Sequence, residues 1–257
     1  IGRVTHDLMR IKGSDGAPWR PLFREAEPGG DALGARAFVL RAAGEGAARA
    51  PVALGSLDVV TVERRLVAAG LAEVAALGYR PETLVIGATH THSGPGGYSQ
   101  QRLSELAGTD HYDPRVFDAL RTATVAAIRQ AHASAVPDTL DYRVQEDRDY
   151  FGGPFLVRNR RAKDPFDVDR RIAFLGGMRG GVVNCAIHPV VYRRRNMQWR
   201  RDVPGGIAVA WDEYVEQPYS LAFLQGATAD VTPNTTRVSP PEGVRILGER
   251  VAWRLDE

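Results

Sequence analysis

Among 257 residues there is one cysteine, Cys185, so no disulfide can form within the chain. It lies in the apolar run Val182 to Ile187, where a thiol is expected to serve as a small buried hydrophobe rather than as a nucleophile. The scarcity of cysteine does not by itself fix a compartment. No apolar run reaches the roughly 18 to 20 residues that cross a bilayer as a helix. The opening Ile1-Gly2-Arg3-Val4 carries no signal-peptide core. An excess of one charge is missing too: 33 basic and 31 acidic side chains leave a formal charge of +2, so nucleic acid is not an expected partner. Repeats, low-complexity tracts and linkers are absent. What is there is ordinary globular usage, 44% hydrophobic and 25% charged, in a chain long enough to bury a substantial core. The expectation is one domain over residues 1–257, incomplete at its C-terminal end because the chain stops inside a helical pattern.

Clustered apolar and β-branched residues predict strands over Arg36 to Ala42 and Val52 to Val60. A helix is expected from Val62 to Leu77, ending at Gly78 where a left-handed cap costs least. The short apolar run Thr83 to Ala88 reads as a strand buried on both faces. Strand, helix and strand in that order predict a βαβ crossover. Asp113-Pro114 opens the clearest helix: Asp can accept from the first free amides and Pro suits the first helical position. Phe117, Leu120, Thr124 and Ile128 then form one core-facing stripe. Leu140 to Val144 and Leu221 to Gln225 are further strands. Ile172 to Leu175 and Val182 to Ile187 flank a glycine-rich turn and predict a hairpin. Ser239-Pro240-Pro241-Glu242 resembles a capping box before a last helix bearing Val244, Leu247 and Val251. The fold class is α/β, a layered mixed sheet flanked by helices with βαβ crossover and β-hairpin connections.

Of six histidines, three follow apolar strand-like runs. Strand ends open onto the crevices where α/β folds bind ligands. His90 and His92 form a His-x-His pair after Thr83 to Ala88, and residues two apart in extended chain point to one side. His188 ends the run Val182 to Ile187, and Pro189 stops the ladder there. Three imidazoles at one edge would suit zinc, which takes nitrogen at about 2.0 to 2.1 Å. The spacing alone also fits histidines that merely satisfy local hydrogen bonds. Ser93-Gly94-Pro95-Gly96-Gly97 forces an irregular loop, either an anion-facing turn or simply a sharp one. No Gly-Lys-Ser/Thr follows, so it is not a P-loop.

The run Ala88-Thr89-His90-Thr91-His92-Ser93-Gly94-Pro95-Gly96-Gly97-Tyr98 resembles the signature loop of the neutral, non-lysosomal ceramidases. Two further segments match in order. Asn184-Cys185-Ala186-Ile187-His188-Pro189 is similar to that family's second histidine segment, which is followed by an aspartate-containing loop, here Asp202-Val203-Pro204-Gly205. Gln225-Gly226-Ala227-Thr228-Ala229-Asp230-Val231-Thr232-Pro233-Asn234 is similar to its Gly-Asp-Val-Ser-Pro-Asn stretch, with Thr232 in place of serine. Asn159-Arg160 matches an Asn-Arg pair between the histidine segments.

The resemblance implies hydrolysis of ceramide to sphingosine and a fatty acid, with one catalytic zinc ion. It makes His90 and His188 direct metal ligands and places His92 beside the metal, contacting substrate or shuttling a proton. Arg160 would hold the scissile amide or its developing charge, and Thr232 would supply the hydroxyl of the family serine. The family's zinc site is completed by a glutamate and a tyrosine far beyond the Asp-Val-Ser-Pro-Asn stretch, and this sequence does not place them. A secreted or periplasmic location is implied by the family. Two other readings stand beside this one. The first is a metallohydrolase of the same fold acting on a smaller polar amide or ester. The second is a non-catalytic relative that binds a lipid or a partner. Arg193, Arg194, Arg195, Arg200 and Arg201 form either a solvated loop or a contact for an anionic membrane surface or a carboxylated substrate. The oligomeric state is open.

Overall fold

The computed structural model describes residues 3–4, 24–42, 49–105, 109, 111–148, 156–193, 196–235 and 238–256. Strands β1 (Ala35–Leu40), β2 (Val52–Leu57) and β3 (Leu84–Ala88) form a sheet in the order β1-β2-β3. β1 and β2 pair antiparallel, whereas β2 and β3 pair parallel. The parallel pair is joined by helix α1 (Arg64–Val74), a 3₁₀ turn over Ala75–Leu77 and Gly78, the expected crossover. Gly78 takes φ 93° and donates its amide to the Ala75 carbonyl, so the left-handed cap stands where the sequence puts it. Helix α2 (Pro114–Ala133) covers this sheet, its Asp113 side chain accepting from the Arg115 amide at 2.9 Å. Thr124, Val125 and Ile128 are buried along its inner stripe, near Ala53, Val74 and Leu84.

The second sheet has the order β8-β7-β6-β4, built from β4 (Asp141–Glu146), β6 (Arg171–Gly176), β7 (Gly180–Cys185) and β8 (Ser220–Gln225). The glycine-rich hairpin joins β6 and β7 antiparallel, and β8 lies parallel to β7. A short antiparallel ladder joins β5 (Val157–Asn159) to β9 (Val231–Pro233). Helices α3 (Asp202–Tyr214) and α4 (Pro240–Asp256) pack together over this sheet and enclose Val183, Ile207, Leu247 and Val251, each at most 1% exposed. Both faces of the protein therefore follow the mixed α/β layering expected.

Helix α3 is the element the sequence conceals, since Asp202-Val203-Pro204-Gly205 reads as a loop. Pro204 is tolerated because the first turn has no intrahelical use for its missing amide hydrogen. The glycines serve close packing: a Cβ on Gly248 of α4 would stand 2.4 Å from the Gly206 carbonyl carbon of α3. Strand β7 also stops earlier than expected, at Cys185. Beyond it the Gly226 amide takes the Cys185 carbonyl, and His188 stands in irregular chain. Cys185 is 3% exposed, and burial pushes its thiol up to about 12, which confirms a packing role.

The two sheets meet along β8, which packs against β1, β2 and β3. Across that seam the Phe223 amide donates to Ser56 Oγ at 3.3 Å. The C-terminal ends of the parallel strands β3, β7 and β8 consequently lie together. No helix among the described residues is long and apolar enough to cross a membrane.

Candidate metal centre

His90 and His92 leave the end of β3, and His188 leaves the end of β7. Their rings form a nearly equilateral triangle, with centroids 5.0 Å (His90–His92), 5.0 Å (His90–His188) and 4.9 Å (His92–His188) apart. One ligand atom from each lies within 4.8 Å of the others. His92 Nε2 and His188 Nε2 are 3.0 Å apart. Nitrogens of a tetrahedral centre with bonds of about 2.0 to 2.1 Å sit roughly 3.3 Å from one another, so an ion needs only a small opening of this pair.

Backbone carbonyls orient two of the rings. His90 Nδ1 lies 2.6 Å from the Val60 carbonyl, and His188 Nδ1 lies 2.9 Å from the Thr228 carbonyl. A carbonyl can only accept, so each Nδ1 carries a hydrogen, and in the neutral ring Nε2 is then the nitrogen with a lone pair for the centre. This is the outer arrangement that metal-bound histidines use to fix tautomer and ring angle.

The backbone differs from the extended His-x-His expectation. His90 takes φ 66°, a left-handed conformation uncommon outside glycine. It is held there by its own amide, which donates to the Val59 carbonyl at 3.0 Å, and by the ring contact to Val60. The convergence of the two imidazoles thus comes from a fixed bend, not from strand alternation. Thr91, fully buried, donates its hydroxyl to the Arg200 carbonyl at 2.6 Å, and the His92 amide donates to the Pro189 carbonyl at 3.3 Å. Both bonds tie the first histidine loop to the chain around the second.

The glycine loop after His92 is a sharp turn. The Ser93 amide goes to Thr91 Oγ1 and the Gly97 amide to the Thr109 carbonyl, so neither faces outward for an anion. Asn159 is nearly buried and donates to Asp230 Oδ2 at 2.9 Å and to the Asp167 carbonyl at 2.8 Å. Next to it, exposed Arg160 donates from Nη2 to the Ala229 carbonyl at 3.1 Å, one residue beyond the carbonyl that holds His188. Thr232 is half-buried in β9, opposite Arg158.

The arginines after His188 divide. Arg200 pairs with Asp31 at 3.2 Å and lies over the Tyr192 ring at 4.9 Å. Arg201 approaches buried Asp58 at 3.6 Å, and desolvation lowers its pKa. These two are fasteners of the fold. Arg194 and Arg195 lie outside the described residues.

Fold and site together define a mixed α/β protein whose two sheets converge on a three-histidine centre suited to a metal ion. A family model described as neutral/alkaline non-lysosomal ceramidase, N-terminal, matches residues 31–151. Neutral ceramidase B of Dictyostelium discoideum is 27% identical over 176 residues, covering 61% of this chain and 24% of that protein. The neutral ceramidase of Mycobacterium tuberculosis is 28% identical over 187 residues, covering 64% and 29%. The crystal structure of neutral ceramidase from Pseudomonas aeruginosa superposes with a TM-score of 0.73 at 23% identity, over 86% of this chain and 38% of that one. Over these segments the chain is similar to the neutral/alkaline non-lysosomal ceramidases. It spans about a quarter of the length of those curated relatives.

Proposed function

We propose that the three-histidine centre holds a zinc ion and that the protein hydrolyses an N-acyl amide of the ceramide type. The observation that carries this reading is the convergence of His90, His92 and His188, two of them with Nδ1 engaged by main-chain carbonyls. The donor set fits: neutral imidazoles suit zinc, and His90 and His188 can each offer Nε2 to one point with His92 beside it. Zinc bound there supplies Lewis-acid polarisation of the amide carbonyl and activation of water near neutral pH. The relatives are named neutral ceramidases, and one solved neighbour is described as a ceramidase complexed with C2.

The chain's own residues then take these parts. His90 and His188 hold the ion through Nε2, each with its tautomer set by a carbonyl. His92 contacts the substrate or moves a proton from the attacking water to the leaving amide nitrogen. Arg160 steadies the developing negative charge, a part supported by its bond to the Ala229 carbonyl next to the carbonyl that holds His188. The Thr232 hydroxyl hydrogen-bonds the substrate where relatives use serine, its extra methyl stiffening χ1. The glutamate and tyrosine that would complete the ligand set in this reading are not placed by this sequence.

The test has two stages. Metal analysis of the purified protein should return zinc near one equivalent, and it should fall away in His90→Ala and His188→Ala. Fatty-acid release from a panel of N-acyl amides should then favour ceramide over short polar amides. Protein that binds no zinc on addition would favour a non-catalytic relative. Turnover restricted to small polar amides or esters would replace the lipid substrate while keeping the metal chemistry.

A further inference from the structure

The two histidine loops belong to different sheets, and one side chain joins them. Gln225 ends β8, the strand at the seam. Its Nε2 donates to the Thr89 carbonyl at 3.2 Å and to the Ile187 carbonyl at 2.9 Å. Thr89 directly precedes His90, and Ile187 directly precedes His188. The amide's orientation is set by its other end, since Gln225 Oε1 accepts from the Gly226 amide at 3.1 Å. With oxygen so engaged, the two N–H bonds must face the two carbonyls.

We propose that Gln225 is a positioning residue of the metal centre, a double donor that fixes the spacing of the His90 and His188 loops. The chemistry selects its side chain. Two main-chain acceptors on separate loops require two diverging donors on one rigid plane. A carboxylate of the same shape offers acceptors only and would face two carbonyl oxygens. A thioether of similar length offers no donor. Each acceptor lies one residue before a ligand, so a loop that drifts carries its imidazole with it. Metal-site distances tolerate only about 0.2 Å, so even small drift reaches affinity.

The inference rests on the metal reading, and its test separates the two. Metal affinity is measured by chelator competition with zinc and cobalt for wild type, Gln225→Met, Gln225→Glu and Ser56→Ala. Thermal unfolding of each metal-free protein is followed alongside. Ser56→Ala removes a separate hydrogen bond between the sheets, the one to the Phe223 amide, and touches neither loop. Both Gln225 variants should bind metal about 10- to 100-fold more weakly, the usual loss for an outer-sphere partner. The cobalt spectrum should shift in Gln225→Met, which adds no buried charge and so guards against simple misfolding. Ser56→Ala should lower the melting temperature and leave affinity within about twofold. Gln225→Met binding at wild-type affinity would overturn the role of Gln225 alone. So would an equal loss in Ser56→Ala, which would make the effect one of general sheet packing. A wild-type protein that binds no metal would overturn the metal reading and this proposal with it.

Discussion

Gly226→Ala offers a direct test of how tightly strand packing sets the His188 loop. A Cβ on Gly226 would stand 2.9 Å from the Ala186 nitrogen, 3.0 Å from the Cys185 carbonyl carbon and 3.1 Å from Ala186 Cα. All three are main-chain atoms of the segment leading to His188, so no side chain can swing aside. Restoring ordinary contact requires the two chain ends to part by about 0.5 Å, and overpacking of this kind costs roughly 1–3 kcal/mol. That movement occurs two residues before a proposed ligand, where the tolerance is about 0.2 Å. The expected result is a stability loss in that range by urea unfolding of the metal-free protein. Zinc affinity should also fall by about tenfold or more in chelator competition. Gly34→Ala is the control, because a Cβ there meets nothing within 4 Å. Wild-type zinc affinity in Gly226→Ala, with or without the stability loss, would show that the end of β7 does not govern where His188 sits.

Other substitutions probe separate joints. His90→Ala and His188→Ala should each weaken zinc by about 100-fold or more, whereas His92→Ala should keep metal and lose most activity. The first figure follows if about 10–16 kcal/mol of binding is shared among four ligands. Equal metal loss in all three would refute the division of roles. Gly248→Ala should push α4 from α3 and lower stability by about 2 kcal/mol despite alanine's better helix propensity. A calorimetric melting temperature equal to wild type would contradict that. Asp202 gives a pH test: burial raises its carboxyl to about 6, outweighing the backbone amides that donate to it. The folded state therefore binds this proton more tightly than the unfolded chain, and stability falls as pH rises from about 4 to about 6. Asp202→Asn lacks that slope, so its stability relative to wild type should climb by up to about 3 kcal/mol across the window. A pH-independent difference between the two proteins would refute the assignment.

What could be read in the sequence was what depends on local chemistry. The Asp113-Pro114 cap, the stripe from Phe117 to Ile128 and the Gly78 stop each act within a turn or two, and each stands as expected. The same holds for the hairpin at Gly176 to Gly181, whereas β7 ends at Cys185, short of the expected Ile187. Helix α3 was hidden because its proline and glycines speak locally for a loop. Their reason is tertiary, the close approach of Gly206 and Gly248. The three-residue ladder of β5 and β9 is too short to leave a periodic signal. Gln225 left no trace of its role, since both its acceptors are main-chain carbonyls that any residue would provide. The left-handed turn at His90 was equally silent, as no glycine marks it.

That turn explains why the site needs the whole fold. A histidine at φ 66° is held only while the Val59 and Val60 carbonyls stay in place, and these follow directly from β2. The second ligand depends on β7 and on the Thr228 carbonyl beyond β8. Thr91 and His92 reach across to the carbonyls of Arg200 and Pro189, and Gln225 ties both loops to the seam. His92 and His188 are 96 residues apart in sequence, so neither sheet alone contains a centre. The backbone strain at His90 is of the order of 1–3 kcal/mol and persists only where surroundings over-determine it. Here they do so from both sheets at once, through main-chain carbonyls and the Gln225 amide beside the histidines. A change that frees those loops from the seam therefore spreads the imidazoles, whereas one remote from them lowers stability alone.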